Sequence, residues 1–238
     1  LGGSCDNERD DAHDDDLVLD RFAKPIVFED APVTRDDADG VAAADEPRAL
    51  RIVSRASWDP APLHAGDKYE KALADVYETI VVHHTDMDAP GPLAIKQYHL
   101  DVSGFADIGY HFVIEPDGVV YEARDLDRVG ANAGAVAGGG TADPDYGAIG
   151  VALDGTWDTV LPPRAQREAL LLLVDDLRAR FPRIRRVIGH REVKRELVES
   201  RGLTLASHET TCPGDALFRW LSNERVVGRF ADAPPHVT

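Results

Sequence analysis

The stretch TIVVHHT, residues 79–85, combines a β-branched run with two adjacent histidines. Its β-branched residues and its length predict a strand. Adjacent side chains on a strand point to opposite faces, so His83 shares a face with Val81 whereas His84 shares the other with Val82. Only one of the two histidines can serve a given site, and the pattern does not choose between them. Taken alone, a strand histidine is more often a hydrogen-bonded core or surface group than a ligand.

The sequence that follows this strand predicts further elements. The pattern favours a helix over residues 92–102, a two-stranded hairpin over 110–124 and a buried strand over 146–157. An amphipathic helix follows over 162–181, and a short strand over 185–190 ends on His190. A Pro-Asp-Gly turn joins the hairpin strands, because proline presets the turn and glycine supplies the positive φ. We therefore predict an α/β fold: a single domain with a central mixed β-sheet flanked by α-helices.

Charge and composition disfavour several classes of partner. The chain has 238 residues and a formal net charge of -17, which disfavours nucleic acid and anionic membrane surfaces as partners. It contains no apolar run long enough for a transmembrane segment. We predict an acidic, largely irregular N-terminal arm over residues 1–50, a folded domain over 51–225 and a C-terminal tail over 226–238.

The first residues, LGGSCDNERDDAHDDD, allow two interpretations. One is a solvated, disordered leader, as the Asp-rich composition suggests. The other is a bacterial lipoprotein with a lipid anchor at Cys5, since small residues precede that cysteine, although Gly2 stands where such a signal usually has a branched apolar residue. The start without methionine is typical of a processed product.

The second cysteine lies in TTCPGDALFRW, residues 210–220. Pairing with Cys5 at the far end of the acidic arm has little to recommend it, so the Cys212 thiol is a nucleophile, a metal ligand or a buried apolar group. His190 and the histidine pair are of the types that bind Zn²⁺ together with a thiolate. Two imidazoles and one thiolate would leave the fourth position to water, but nine histidines permit many chance trios.

Several motifs together resemble one family. IVVHHTD, DIGYHFVIEPDGVVYEAR, AIGVALDGTW, VIGHREV and TTCPGDAL stand in the order and rough spacing of the peptidoglycan recognition protein and phage-type N-acetylmuramoyl-L-alanine amidase family. VSRASW ahead of them matches the usual opening of that family. The resemblance covers about residues 51–221, and several motifs in register are far more specific than any one of them.

The resemblance implies a zinc site made by His83, His190 and Cys212. It also implies catalytic roles for Tyr110 beside the zinc-bound water and for Thr210 at the oxyanion. Such an ion lowers the pKa of bound water and polarises the scissile carbonyl.

The substrate groove departs from the family pattern. His84 and Asn132 are the predicted substrate-binding residues, but Asn132 stands in GANA where many members have GAHA. Asp145 and Ala148 replace the asparagine and serine that the family usually has before the Ile-Gly pair at residues 149–150. These departures affect contacts to the glycan or stem peptide and leave the implied metal set intact.

The implied function is zinc-dependent hydrolysis of the amide bond between N-acetylmuramic acid and L-alanine, with peptidoglycan or muropeptides as partners. The alternatives are a peptidoglycan-binding module without catalysis and a structural envelope lipoprotein. Non-catalytic members typically lose a ligand, most often the cysteine, and this chain keeps all three. The expected location is extracytoplasmic: periplasmic, cell-envelope or secreted, with the lipid anchor at Cys5 as an option.

Overall fold

A six-stranded mixed sheet organises the described part of the chain. This computed structural model describes residues 49–134, 141, 143–201, 210–226, 228 and 230. The strands lie across the sheet in the order β1-β4-β3-β5-β2-β6. Their bounds are Ile52–Val53 (β1), Thr79–His84 (β2), Phe112–Ile114 (β3), Val120–Glu122 (β4), Ala148–Leu153 (β5) and Arg186–Gly189 (β6). The predicted fold class, a single domain with a mixed sheet flanked by helices, is confirmed.

The predicted N-terminal arm and C-terminal tail are not part of the described structure, apart from a few residues. The arm over residues 1–50 and the tail over 226–238 lie almost entirely outside the described residues, as does Cys5. Their assignment stays a prediction. Among the described helices, none combines the length and the apolar composition that a membrane span requires.

The strand β2 lies between β5 and β6 and pairs with both in parallel. Its register with β5 sets His83 opposite Ala152 and His84 opposite Leu153. All six residues of β5 are buried, as is typical of parallel strands with helices on both faces. Both histidines therefore stand at the carboxyl end of a strand inside the sheet.

The predicted hairpin is confirmed, since β3 and β4 are antiparallel. In the turn, Gly118 has φ +85°, and Asp117 accepts the N–H of Val119 at 2.9 Å. A Cβ atom at Gly118 would lie 2.7 Å from the carbonyl oxygen of Ala165. The turn therefore packs directly against a helix and has no room for a side chain.

The helices cover the two faces of the sheet. They are α1 (Arg55–Trp58), α2 (Pro92–Asp101), α3 (Arg164–Arg180), α4 (His190–Arg201) and α5 (Asp215–Val226). α3 and α5 bury their apolar residues in the main core together with Ile80 and Val82 of β2. α4 packs Val193 on the other face, against Val81. Alternate residues of β2 thus contact different helices.

The start of α4 differs from the sequence prediction. The short strand was predicted to end on His190, but β6 ends at Gly189 and His190 begins the helix. The side chain of Glu192 accepts the Gly189 N–H at 2.8 Å, which satisfies a backbone amide at the helix start. His190 consequently stands in the first turn of a helix that follows directly on the neighbour of β2.

Candidate metal centre

Three side chains from distant parts of the chain meet beyond the carboxyl end of β2. His83 is the last residue but one of β2, His190 begins α4, and Cys212 lies in the loop before α5. One ligand atom of each lies within 4.8 Å of the other two. The Sγ atom of Cys212 is 3.5 Å from Nδ1 of His83, and the two imidazole centroids are 4.7 Å apart. The fold therefore brings the predicted ligands together, while their role as ligands stays a prediction.

Burial sets the protonation of this group. His83 is 1% exposed and Cys212 is 9% exposed. Burial lowers the pKa of His83 well below its ordinary value and lowers the pKa of His190 to about 3. It raises the pKa of the Cys212 thiol to about 12. At neutral pH both imidazoles are uncharged, and the thiol keeps its proton unless a cation displaces it.

The donor set fits a zinc ion. Nε2 of His190 is buried and has no hydrogen-bond partner among the described residues, a costly state that a metal ion would relieve. Zinc binds imidazole nitrogen at about 2.0–2.1 Å and thiolate sulfur at about 2.3 Å, which sets two such tetrahedral ligands about 3.6 Å apart. The spacing of 3.5 Å between His83 Nδ1 and Cys212 Sγ agrees with this. Three protein ligands are typical of catalytic zinc sites.

His84 faces the other side of the sheet. It is 4% exposed, and its Nδ1 accepts the Trp157 N–H at 3.3 Å. Together with Asp86 and Asp158 it forms a second group of side chains that could hold a metal ion. Because Nδ1 accepts a hydrogen bond, neutral His84 carries its proton on Nε2, and neither nitrogen offers a free lone pair. The structure thus separates His84 from the face of His83, and its substrate-binding role stays a prediction.

The two predicted catalytic residues contact different members of the cluster formed by His83, His190 and Cys212. Tyr110 precedes β3, and its ring centroid is 5.1 Å from that of His83. Burial raises the pKa of its hydroxyl, so the phenol stays protonated. The Thr210 hydroxyl accepts the Cys212 N–H at 3.2 Å. Tyr110 therefore lies against the His83 ring, whereas the Thr210 hydroxyl is hydrogen-bonded to the backbone of Cys212.

Comparison with known proteins agrees with this arrangement. The sequence pattern of the family described as N-acetylmuramoyl-L-alanine amidase matches residues 73–215. This chain belongs to that amidase family. The matched range contains His83, His190 and Cys212, so the whole candidate metal centre lies within the amidase domain.

The relatives carry two kinds of name. Human N-acetylmuramoyl-L-alanine amidase is 30% identical over 181 residues, which are 70% of this chain and 27% of the human protein. Peptidoglycan-recognition protein LB of Drosophila melanogaster is 28% identical over 222 residues, 84% of this chain and 81% of that protein. The solved structure of Drosophila PGRP-LB matches in fold, with a TM-score of 0.56 at 23% identity, over 78% of this chain and 98% of that one. This chain thus matches only about a quarter of the length of the human protein.

Asn132 has a contact in this amidase domain that sequence reasoning missed. Its Oδ1 lies 2.8 Å from Nε2 of His83. The predicted role of Asn132 in substrate binding stays a prediction. The two residues are 49 positions apart, and no local pattern signals a contact over that distance.

Arg191 is a second residue of the amidase domain that was missed. Its backbone N–H and its Nε donate to the Cys212 carbonyl oxygen at 3.0 and 3.4 Å. Its Nη2 donates to the Thr211 carbonyl, and its guanidinium lies 4.7 Å from the Phe218 ring centroid. Arg191 therefore clamps the loop that carries the thiol beside His190. Its position directly after His190 was the only signal in the sequence.

Proposed function

We propose that this chain is a zinc-dependent hydrolase that cleaves the amide bond between N-acetylmuramic acid and L-alanine of peptidoglycan or its fragments. The observation that carries the proposal is the convergence of His83, His190 and Cys212, with one ligand atom of each inside 4.8 Å of the others. Membership of a family described by this amidase activity supports the reaction type. The cofactor proposed is a single Zn²⁺ ion.

The chain's own groups suit the hydrolysis of an amide. A bound zinc ion supplies a hydroxide nucleophile at neutral pH and polarises the scissile carbonyl. Tyr110 keeps its phenol proton because burial raises its pKa, so its hydroxyl can donate to a developing oxyanion. Thr210 accepts the Cys212 N–H and retains its own hydroxyl proton for the same purpose. The two histidines are already neutral at pH 7 and need lose no proton to serve as ligands.

The second candidate function is a module that binds peptidoglycan without cleaving it. It is supported by the relatives named as recognition proteins, such as Drosophila PGRP-LB. The complete pair of imidazoles and thiol favours the enzyme, because a binding module needs no buried thiol beside two neutral histidines. Either function requires access to peptidoglycan, so we propose an extracytoplasmic location. A lipid anchor at Cys5, which lies outside the described residues, would be compatible with both.

The decisive experiment uses purified protein and muropeptides, with and without a chelator. Mass spectrometry should find released stem peptide with a free alanine amine only when zinc is present. Cys212→Ala should abolish both the product and the bound zinc. Undiminished product from Cys212→Ala, or from chelated wild type, would show that the proposed mechanism is wrong, and binding without any product would favour the recognition module.

A further inference from the structure

The loop of residues 130–134 lies against the sheet beside the metal group, and three glycines make its close approach possible. A Cβ atom at Gly109 would lie 2.2 Å from the carbonyl oxygen of Ala131. A Cβ at Gly150, on β5, would lie 2.6 Å from the side-chain amide of Asn132. At Gly130 the same atom would be 2.4 Å from Nδ2 of Asn132. The side chain of Asn132 therefore occupies space that a side chain at Gly130 or Gly150 would fill, and Gly109 lets the Ala131 backbone approach.

A buried carboxylate holds this loop in place. Asp145 is 1% exposed, and its Oδ1 accepts the backbone N–H of Asn132 at 3.1 Å and that of Ala133 at 3.0 Å. The N–H of Ala131 donates to the Gly109 carbonyl at 3.1 Å. Three successive backbone amides are thus fixed to the body of the domain. This restraint leaves the Asn132 side chain little freedom to turn away.

The orientation of the Asn132 amide follows from its two contacts. Nδ2 donates to the Gly109 carbonyl at 3.4 Å, which directs Oδ1 toward Nε2 of His83, 2.8 Å away. An amide oxygen only accepts hydrogen bonds, so Nε2 of His83 must carry the proton. The lone pair of the neutral ring is then on Nδ1, the atom 3.5 Å from Cys212 Sγ.

We propose that Asn132 is a positioning residue that holds His83 as the Nε2–H tautomer and so presents Nδ1 to the metal ion. The part of this proposal that concerns the ion rests on the proposed function, whereas the tautomer does not. A ligand imidazole whose other nitrogen is held by a hydrogen bond binds metal more tightly, because its ring orientation and tautomer are already set. Asn132 thus acts on the metal ion through His83 and from outside the ligand set.

The first test is nitrogen NMR of the metal-free wild-type protein at neutral pH. The His83 ring should show one protonated nitrogen, Nε2, correlated with the unprotonated Nδ1. A predominant Nδ1–H tautomer would overturn the proposal. This measurement needs no zinc, no substrate and no variant.

The second test compares Asn132→Leu with Asn132→Asp in zinc affinity, measured by competition with a chelating dye. Leucine keeps the approximate volume but removes the acceptor, and the affinity should fall by about 10- to 100-fold. Aspartate keeps an acceptor at the same place and should retain most of the affinity. Gln97→Leu, which removes an exposed amide outside the site, is the matched control and should bind zinc as wild type does.

The outcomes separate this inference from the proposed function. If Asn132→Leu binds zinc as tightly as wild type and His83 keeps its tautomer, Asn132 has no positioning role. If Asn132→Leu does not fold, the wild-type NMR spectrum still decides, because a predominant Nδ1–H tautomer of His83 would overturn the proposal. If wild type binds zinc with the predicted tautomer but releases no product from muropeptides, only the proposed function fails.

Discussion

The two histidines at the end of β2 have the same residue type, the same strand and nearly the same burial, yet opposite surroundings. His83 faces a thiol, a second imidazole and a side-chain amide. His84 faces the Trp157 N–H and two carboxylates. The face on which each side chain lies, rather than residue type or burial, therefore decides what an imidazole can do here.

The difference begins in the packing below the histidines. The face of His84 continues into Ile80 and Val82 and the main core under α3 and α5. The face of His83 continues into Val81, beside the first turns of α4. Because α4 begins at His190, the second imidazole arrives on the His83 face with the helix that covers it. The following predictions test how far this division of the two faces holds.

The largest effect is expected from the matched pair His83→Gln and His84→Gln. His83→Gln removes a proposed zinc ligand, so we expect that bound zinc is lost and that product formation falls on the order of 10³-fold or more. His84→Gln should keep its zinc, because the amide oxygen can still accept the Trp157 N–H. Metal analysis and product assays on both variants test this expectation. If His84→Gln lost its zinc as well, the two histidines would not differ in their role at the metal site. A raised KM in His84→Gln without zinc loss would support its predicted substrate-binding role.

The next effect concerns Tyr110, which lies on the His83 face. Tyr110→Phe removes the hydroxyl that we propose donates to the oxyanion, so kcat should fall by about 10²-fold. Zinc affinity should stay at the wild-type value, because the phenol is not a ligand. Tyr98→Phe, which alters a tyrosine that is 44% exposed, serves as control. A wild-type kcat for Tyr110→Phe would remove this residue from the catalytic group.

Asp145, beneath the loop on the His83 face, should make stability depend on pH. Burial raises its pKa from 3.8 to about 6, so the folded state binds the proton more tightly than the unfolded state does. Its contribution is therefore full below pH 4 and is lost as the pH rises through 6. Between pH 4.5 and 7, the free energy of unfolding of the metal-free wild type should fall by about 2 kcal/mol relative to Asp145→Asn.

Urea unfolding of both proteins at the two pH values measures this difference. The asparagine side chain of the Asp145→Asn variant cannot ionise, so other carboxylates cancel in the comparison. A difference that does not change with pH would mean that Asp145 titrates as it does in the unfolded chain. The loop of residues 130–134 would then be held equally well by either form of the side chain.

The smallest effect is expected from Arg191, whose positive charge also helps to lower the pKa of His84. Arg191→Leu removes the side-chain donors to the Thr211 and Cys212 carbonyls, and zinc affinity should weaken by about tenfold. Asp215→Asn breaks only the exposed ion pair of Arg191 and should have little effect. Chelator competition on both variants checks this, and equal affinities would show that the clamp does not position Cys212.

The fold could be predicted largely because its signals are local. The β-branched run at residues 79–85, the Pro-Asp-Gly turn and the leucine periodicity of α3 each depend on neighbours within a few residues. The end of the short strand was predicted one residue too late, on His190 instead of Gly189, because β6 runs into α4 with no loop between them. Only the contact of Glu192 with the Gly189 N–H marks that boundary, and a single glutamate is weak evidence in a sequence.

The site was less accessible to sequence reasoning. Residue types suggested a metal group, but the choice of His83 came from the family resemblance and not from the strand pattern. The Asn132 and Arg191 contacts were missed because they join residues 49 and 21 positions from their partners. No periodicity within one element reports on such distances.

By itself, the sequence determined which chemical groups are present: two adjacent histidines on opposite faces of a strand, a third histidine at one end of a short strand, and a thiol beside Pro-Gly. Alternation along a strand is a local property of the backbone, so it follows from the residues alone. Only the tertiary structure decided which imidazole meets the thiol. That choice depends on which face α4 and the Cys212 loop cover, and Cys212 is 129 positions from His83, where packing rather than local chain geometry brings the atoms together.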